Sequence, residues 1–585
     1  MTIEEIIKRY DDPNRKGFDY HFITSELGTL EDSEKERPEY QFEMIAFMLV
    51  PNANNAWAGH YYGPMFTLTD ENGKPFENPS LQSITPCMVA YWKQRLENVQ
   101  NPLLKSQYIN LILDFEKSTT GIYPTASMYD DAVETMLAVV EGGYCRHQVV
   151  AVKYLKRAFD LSQNTCIRNK VKSAFVDFEQ KNAKDDTAAG IWGVYLNVMI
   201  DNAVLFTTDE RKALISKHEE RLQRLSLRNP GATDEPALDP FAVEQQVRML
   251  ADYYSKIEKS ESDVIRVLEV YEVAAKRCFS EKPATYKMAQ LQSIIQLYNA
   301  YSIKSANDRL TAEIQQIASL AKREMEHHSF QIEIPNEQIN TLMEYLLEGD
   351  DQLRLLKYVD SFIPKEKVQE SMVKKNAKNF PLVFMMNNQL LDEKGRPASV
   401  IGSIENDLEG HVVLQTSQVM QMEGFLLRMI TERLQDAGVL SVENVVRHIS
   451  ESPLFEPERV KIIQKALSFM FDGEGYIAAH LLIPQIEHAL VNLVESTGGS
   501  VLNIRKDGKG FDNKTLSQLI HDDAVKNVLS PDAAFYLHVL LTDNRGWNVR
   551  NKIVHGNLPV DAFPTSIADR LLHVIVMLGF VQNKK

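Results

Sequence analysis

The sequence predicts a mainly all-α protein: a helical-hairpin array, then a C-terminal four-helix bundle, with a small irregular or β insertion. Three observations carry this expectation. Apolar residues recur at helical spacing, as Val133, Met136, Leu137 and Val140 do, and again Val149, Val150, Val152, Leu155 and Phe159. That spacing lays a stripe along one face of a helix. Short polar connections such as Glu281-Lys282-Pro283 separate consecutive stripes, which favours antiparallel neighbours. Finally, the last 115 or so residues break into apolar segments bounded by Gly and Pro, as a compact bundle requires.

Taken in order, residues 1–100 form an irregular α/β region. Glu4–Tyr10 and Tyr40–Met48 read as short helices, separated and followed by Pro, Gly and Asn clusters such as Pro51–Asn55. Thr69–Pro75 follows Met65-Phe-Thr-Leu and reads as a turn between extended segments. The aromatic run Trp57–Tyr62 reads as a loop packing onto the helical body rather than as a ligand site. Residues 101–330 form a helical-repeat-like array, with helices expected at 165–180, 186–204, 208–226, 241–258, 261–280, 285–300 and 304–326. Stacked hairpins of this kind resemble tetratricopeptide arrays in architecture, although no fixed period with repeated consensus residues is present. Asn229–Pro236 breaks the array, and Asp209–Glu220 reads as solvated helix surface.

Residues 331–470 form a linking helical region. Helices are expected at Ile334–Leu347, Gln352–Phe362, 416–437 and 454–470. Between them, Phe380–Met386 and Leu391–Val400 are expected to pair as a hairpin with Gly395 at its tip. Lys365–Lys378 reads as a solvated helix face because Glu366 and Glu370 interrupt its lysines. Residues 471–585 are expected as helices at 475–496, 531–542, 548–555 and 562–581, with a Gly-rich loop after the first. Pro484 puts a break in the first of these in prospect, since proline removes a backbone donor.

Charge and cysteine content narrow the function classes. A net charge of −16 argues against a surface that coats nucleic acid throughout, while leaving room for one local RNA site. The segment from 471 holds 11 Lys/Arg against 12 Asp/Glu, so nearly all of the excess acid lies upstream. Cys87, Cys145, Cys166 and Cys278 are widely spaced and form no CxxC pair, which fits a reducing compartment and suggests neither a disulfide framework nor a zinc site. The N-terminus lacks the apolar core of a signal peptide, and no apolar run approaches the ~20 residues of a membrane span. A cytoplasmic location without membrane contact is the expectation. No P-loop, zinc-ligand spacing or nucleophile elbow occurs, and Thr497–Ser500 lacks the aspartates that nucleotidyl transfer needs.

The candidate chemistry lies in Gly546-Trp-Asn-Val-Arg-Asn-Lys-Ile-Val-His-Gly556. Arginine presents a fixed fork of donors to a phosphate, and histidine moves protons near neutral pH. With 26 arginines and 14 histidines, about 0.6 Arg-x4-His matches are expected by composition. Arg323–His328 is such a match, at an acid-rich helix end, and reads as structural. Asn551 directly after Arg550 lowers the expected number to about 0.04. Gly556 suits the C′ position and Pro559 blocks continuation, so 548–555 is bounded as a short helix. Asn551 and His555 are four residues apart, so the amide is placed to orient the imidazole. Arg550 lies roughly 140° around from His555, so one helix does not aim both groups at one phosphate. Two copies about a dyad would.

Two residues on the 475–496 helix, Glu487 and His480, share an edge of its apolar stripe, within about 20° of one another. Glu487 is either a carboxylate holding Arg550 or His555, or a boundary carboxylate paired with a surface lysine. Arg505, Lys506 and Lys509 form a basic loop that either grips an RNA backbone or is a solvated hairpin tip, and Lys552 is a further candidate RNA contact.

Leu481-Leu-Ile-Pro-Gln-Ile-Glu-His-Ala-Leu490, followed by Asp543-Asn-Arg-Gly-Trp-Asn-Val-Arg-Asn-Lys-Ile-Val-His-Gly556, resembles the bacterial domain of unknown function 4209. That family is placed in the HEPN superfamily (higher eukaryotes and prokaryotes nucleotide-binding). The resemblance covers about the last 115 residues, and the helical stretch around Asn101–Asp114 is loosely similar to what precedes such domains. It implies a metal-independent endoribonuclease without cofactor, acting at a homodimer interface through residues 471–585. Arg550, His555 and Asn551 would form its site. A role as a conditional toxin or antiviral defence effector is implied as well, with a regulatory protein or ligand bound by the N-terminal helices. The alternative is a non-catalytic helical scaffold with an inactive HEPN-like dimerisation domain.

Overall fold

A computed structural model describes the chain except residues 52–58, 70–74, 184–185, 187–189, 234–235, 326–334, 559, 561–562 and 583–585. Of the segments singled out above, Pro51–Asn55, Trp57–Tyr62, Thr69–Pro75, Asn229–Pro236 and Arg323–His328 thus lie partly outside the described residues, and Pro559 wholly so. The chain is 69% helix and 5% strand, which makes it all-α apart from small two-stranded sheets. It divides into two compact units, Met1–Lys282 with Ala289–Leu310, and Pro283–Met288 with Thr311–Lys585.

In the first unit the N-terminal hundred residues are more helical than their Gly and Pro content suggests. Thr2 and Glu5 close a capping box on Ile3–Tyr10, and Ile3, Ile6, Ile7 and Tyr10 form its buried face. Tyr20–Gly28 is a further helix whose weak periodicity concealed it, and Pro38–Met48 starts on a proline at its first turn. These helices pack on Pro102–Thr120, which is buried on nearly every side. Residues on both sides of the expected boundary at 100 therefore share one core. Asn101 fixes the join: its amide donates to the carbonyls of Asp12 at 2.7 Å and Arg15 at 3.0 Å, and its oxygen accepts the Leu103 N–H at 2.9 Å. The segments on either side of residues 70–74 are extended, as expected, and pair with one another, Phe66–Thr69 with Pro75–Asn78. Helical hairpins follow, such as Ala126–Glu141 with Gln148–Leu161 and Pro240–Tyr253 with Glu261–Phe279.

The second unit is organised on two apolar helices, Gly475–Ser496 and Thr565–Gly579. Gly475–Ser496 is long and apolar enough to cross a membrane by length and composition, contrary to the sequence expectation. Its apolar positions from Ala478 to Val494 line the core of this unit. Pro484 lies exposed within it and does not break it. Thr565–Gly579 is buried at every position from Ile567 onward, including three ionisable residues. Arg570 donates to the Phe362 and Met420 carbonyls, Arg428 pairs with Asp569, and His573 bonds the Val359 carbonyl. Burial pushes the Asp569 carboxyl up to about 6 against the pull of Arg428, and pushes His573 down to about 3.

One hydrophobic cluster runs from Met343 to Leu578, so the expected boundary at 471 does not separate two cores. Periodicity reports that a helix has an apolar face, and says nothing of which partner covers it. The linking hairpin also differs from expectation. Pro381–Met385 is a short helix, begun by its proline, and the paired strands are Asn388–Leu391 and Pro397–Ile401. Gly395, at φ +80°, does mark the turn, where a Cβ would lie 2.2 Å from the Ala318 carbonyl oxygen. Leu502–Ile504 pairs with Phe511–Asn513 in a second hairpin inside the expected Gly-rich loop.

Candidate active site

The run Asp543–Gly556 is built as a pinned loop followed by one short helix. Asp543 is buried and acts as the anchor. It accepts the Arg545 backbone N–H at 2.7 Å and the guanidinium at 2.7 and 3.0 Å, and contacts His538 Nε2 at 2.8 Å. Burial raises its carboxyl, but the hydrogen bonds from His538 and Arg545 outweigh that and hold it well below the usual range. Arg545 extends the network to Asp407 at 3.3 Å and Glu409 at 2.8 Å. Glu409, His538 and Asp543 bring metal-ligand atoms within 4.8 Å of one another. Arg545 already donates to the carboxylate oxygens of both acids, so a metal ion there would have to replace the guanidinium.

Gly546 then turns the chain against the preceding helix, where a Cβ would meet the Val539 carbonyl oxygen at 2.3 Å. Trp547 donates its backbone N–H to that oxygen at 2.9 Å and its indole N–H to Ser417 at 3.1 Å. Asn548 adopts φ +50°, a left-handed conformation that asparagine tolerates, and begins the helix Val549–Val554. Val549 and Ile553, four residues apart, face the core, so Arg550, Asn551 and Lys552 are only half-buried and His555 is exposed. The end is a Schellman motif: Gly556 at φ +61° donates to Ile553 at 3.0 Å, and Asn557 donates to Lys552 at 2.8 Å. The expected short helix is therefore present, with Gly556 at C′ and His555 as the C-cap.

The side chains are distributed as follows. Arg550 Nε lies 3.5 Å from Glu487 Oε2 on the Gly475–Ser496 helix, and Arg550 Nη1 donates to Asn551 Oδ1 at 3.3 Å. Asn551 donates to Asn548 at 2.8 Å, and Asn548 to Asn544. Asn551 thus supports Arg550, where the sequence reading had it orient His555. His555 is the C-cap, its backbone N–H still donating to the Asn551 carbonyl at 3.0 Å, and its side chain is exposed. Among the described residues, the His555 imidazole has no hydrogen-bonding partner. Of the two first-helix candidates, Glu487 joins the site and His480 does not. His480 bonds the Tyr476 carbonyl at 2.9 Å and packs on its ring, about two turns away from Glu487.

The basic candidates are partly neutralised. Lys552 pairs with Glu393 at 2.6 Å and Arg505 with Asp512 at 2.9 Å, whereas Lys506 and Lys509 are exposed at the tip of the second hairpin. Asp543, Arg545 and His538 went unassigned in the sequence reading. The Asp-x-Arg pairing was visible there, but Asp407 and Glu409 come from more than 130 residues upstream.

No family model, curated protein or solved structure matches the chain.

Proposed function

We propose that the protein is a metal-independent endoribonuclease whose reacting groups are Arg550 and His555. The observation that carries this reading is the placement of the two residues. Val549 and Ile553 turn the helix so that His555 is exposed beyond its last turn, while Glu487 and Asn551 hold the Arg550 guanidinium. The likeness of 481–490 and 543–556 to HEPN ribonucleases supports it. In this reaction His555 takes the proton of the ribose 2′-OH or donates one to the departing 5′-oxygen, and Arg550 stabilises charge on the phosphorane oxygens. The 2′-oxygen forms the new bond to phosphorus as the P–O5′ bond breaks, which leaves a 2′,3′-cyclic phosphate and a 5′-OH. Since Arg550 and His555 leave one helix in different directions, the working site combines Arg550 of one copy with His555 of another.

A second reading, a non-catalytic helical scaffold, is favoured by the Arg550–Glu487 pair and the Asn544–Asn548–Asn551 chain, both of which serve packing alone equally well. The deciding assay incubates wild type, Arg550→Ala and His555→Ala with mixed RNA in EDTA and identifies the new ends. Cyclic phosphate ends from wild type alone support the nuclease. Intact RNA throughout supports the scaffold.

A further inference from the structure

The helix Thr208–Leu227 in the first unit carries a second phosphate-type constellation, far along the chain from the candidate active site. Lys217, Arg221 and Arg224 follow one another at spacings of four and three, so they line one face, and Arg228 follows directly after the helix. This face is not simply solvated. Arg221 has a side-chain exposure of 4%, stacks over the Trp192 ring at 4.9 Å, and keeps Nη1 buried without a hydrogen-bond acceptor among the described residues.

One carboxylate sits among the three guanidiniums. Asp186 accepts from Arg221 Nε at 2.7 Å through Oδ1 and from Arg224 Nε at 3.1 Å through Oδ2, with Arg228 Nη2 at 3.9 Å from Oδ2. Arg224 Nη2 adds a contact to Oδ1 at 3.3 Å. Two oxygens shared between planar guanidinium forks is the geometry with which arginines hold a phosphate. Asp186 makes these contacts from a left-handed backbone, φ +57°. Burial raises its carboxyl, but the bonds from Arg224 and Arg221 outweigh this and lower it.

Beside this cluster lies an open cavity of about 660 Å³ between the helices Thr165–Asn182 and Thr208–Leu227. It adds Lys181 to the cations and Asp177 and Glu179 to the acids. Among the described residues, Lys181, Lys217, Arg221 and Arg224 line the groove with Asp177 and Glu179, Asp186 lies beside them, and Lys217 pairs with Glu179 at 3.5 Å, in a protein that carries −16 overall. The volume falls in the range of small-molecule sites and exceeds what a lone phosphate fills.

We propose that this arginine-lined groove binds a small ligand bearing a dianionic phosphate or pyrophosphate group, with Asp186 as the internal anion that competes for the same guanidiniums. The groove lies wholly in the first unit, and the inference stands whether or not Arg550 and His555 cleave RNA.

The test is calorimetric titration of the full chain with inorganic phosphate, pyrophosphate, ATP and a short RNA without terminal phosphate. The variants are Asp186→Asn and Arg224→Gln, the latter altering a half-exposed side chain. Pyrophosphate or ATP is expected to bind saturably at one site. Its affinity is expected to fall about tenfold in Arg224→Gln and to rise several-fold in Asp186→Asn. Phosphate and pyrophosphate binding as well as ATP would assign recognition to the phosphoryl group alone; ATP binding much tighter would add a nucleoside to the ligand. The proposal is overturned if none of the phosphate probes binds saturably at millimolar concentration. It is equally overturned if Arg224→Gln binds as wild type does, or if only the RNA binds.

Discussion

Replacing Asp543 by Asn tests whether the buried network sets the position of the helix Val549–Val554. The carboxylate is 6% exposed and holds Arg545 through its backbone and its side chain, with His538 sharing Oδ2 with the guanidinium. Breaking a buried, hydrogen-bonded charge pair costs about 3–5 kcal/mol when the partner is left uncompensated. Arg545 keeps Asp407 and Glu409 and is itself 20% exposed, so a loss of about 2–3 kcal/mol is expected. The assay is urea unfolding with hydrogen exchange read on Gly475–Ser496 and Pro531–Leu541, which isolates the second unit. Because the native carboxyl is held below its unfolded value of 3.8, its contribution is present above that pH and is lost as pH falls. The gap between wild type and variant should therefore shrink on acidification below about pH 4. A loss under about 0.5 kcal/mol at pH 7, or a gap that grows on acidification, would refute the anchoring role.

Asp569→Asn should show the opposite pH trend. The native carboxyl is raised from 3.8 to about 6, so its contribution is present below pH 3.8 and is lost as pH rises through 6. The variant should gain about 3 kcal/mol relative to wild type between pH 4 and 7 in urea melts, and a flat difference would show that Arg428 neutralises the carboxylate fully. Asn101→Ala should cost about 2–3 kcal/mol, since it uncaps Pro102–Thr120 and strips a donor from two carbonyls; thermal unfolding reads this directly. Glu487→Gln should change stability by less than about 1 kcal/mol, because the pair is long and about 30% exposed on both sides. If Glu487 positions Arg550, the same variant lowers kcat for RNA cleavage several-fold with little change in KM; equal kcat would leave it a structural contact.

What the sequence disclosed, and what it withheld, follows from the range of each interaction. The helix around Arg550 was legible because its limits are local: Val549 and Ile553 mark the buried side, and Gly556 supplies the left-handed residue its end requires. Placing Glu487 beside Arg550 was open to a sequence argument because both lie at the edges of apolar stripes. The service Asn551 performs was not, since the four-residue spacing permits a contact with His555 while the amide bonds Arg550 and Asn548 instead. Arg545 with Asp407 and Glu409, and the arginine face with Asp186, depend on pairings across long chain separations. There the sequence shows charged helix surface and nothing more. For the same reason the sequence did not show that one core, from Met343 to Leu578, runs across the boundary expected at 471.

The most direct test of the composite site mixes two inactive variants. Arg550→Ala and His555→Ala are refolded or exchanged together, and RNA cleavage in EDTA is compared with wild type and with each variant alone. If Arg550 and His555 act from different copies, half of the mixed population pairs unlike variants and each such pair has one intact site. The mixture then recovers about a quarter of wild-type activity while each variant alone has almost none. A mixture as inactive as its components, beside an active wild type, would contradict the shared site; an inactive wild type would contradict the nuclease.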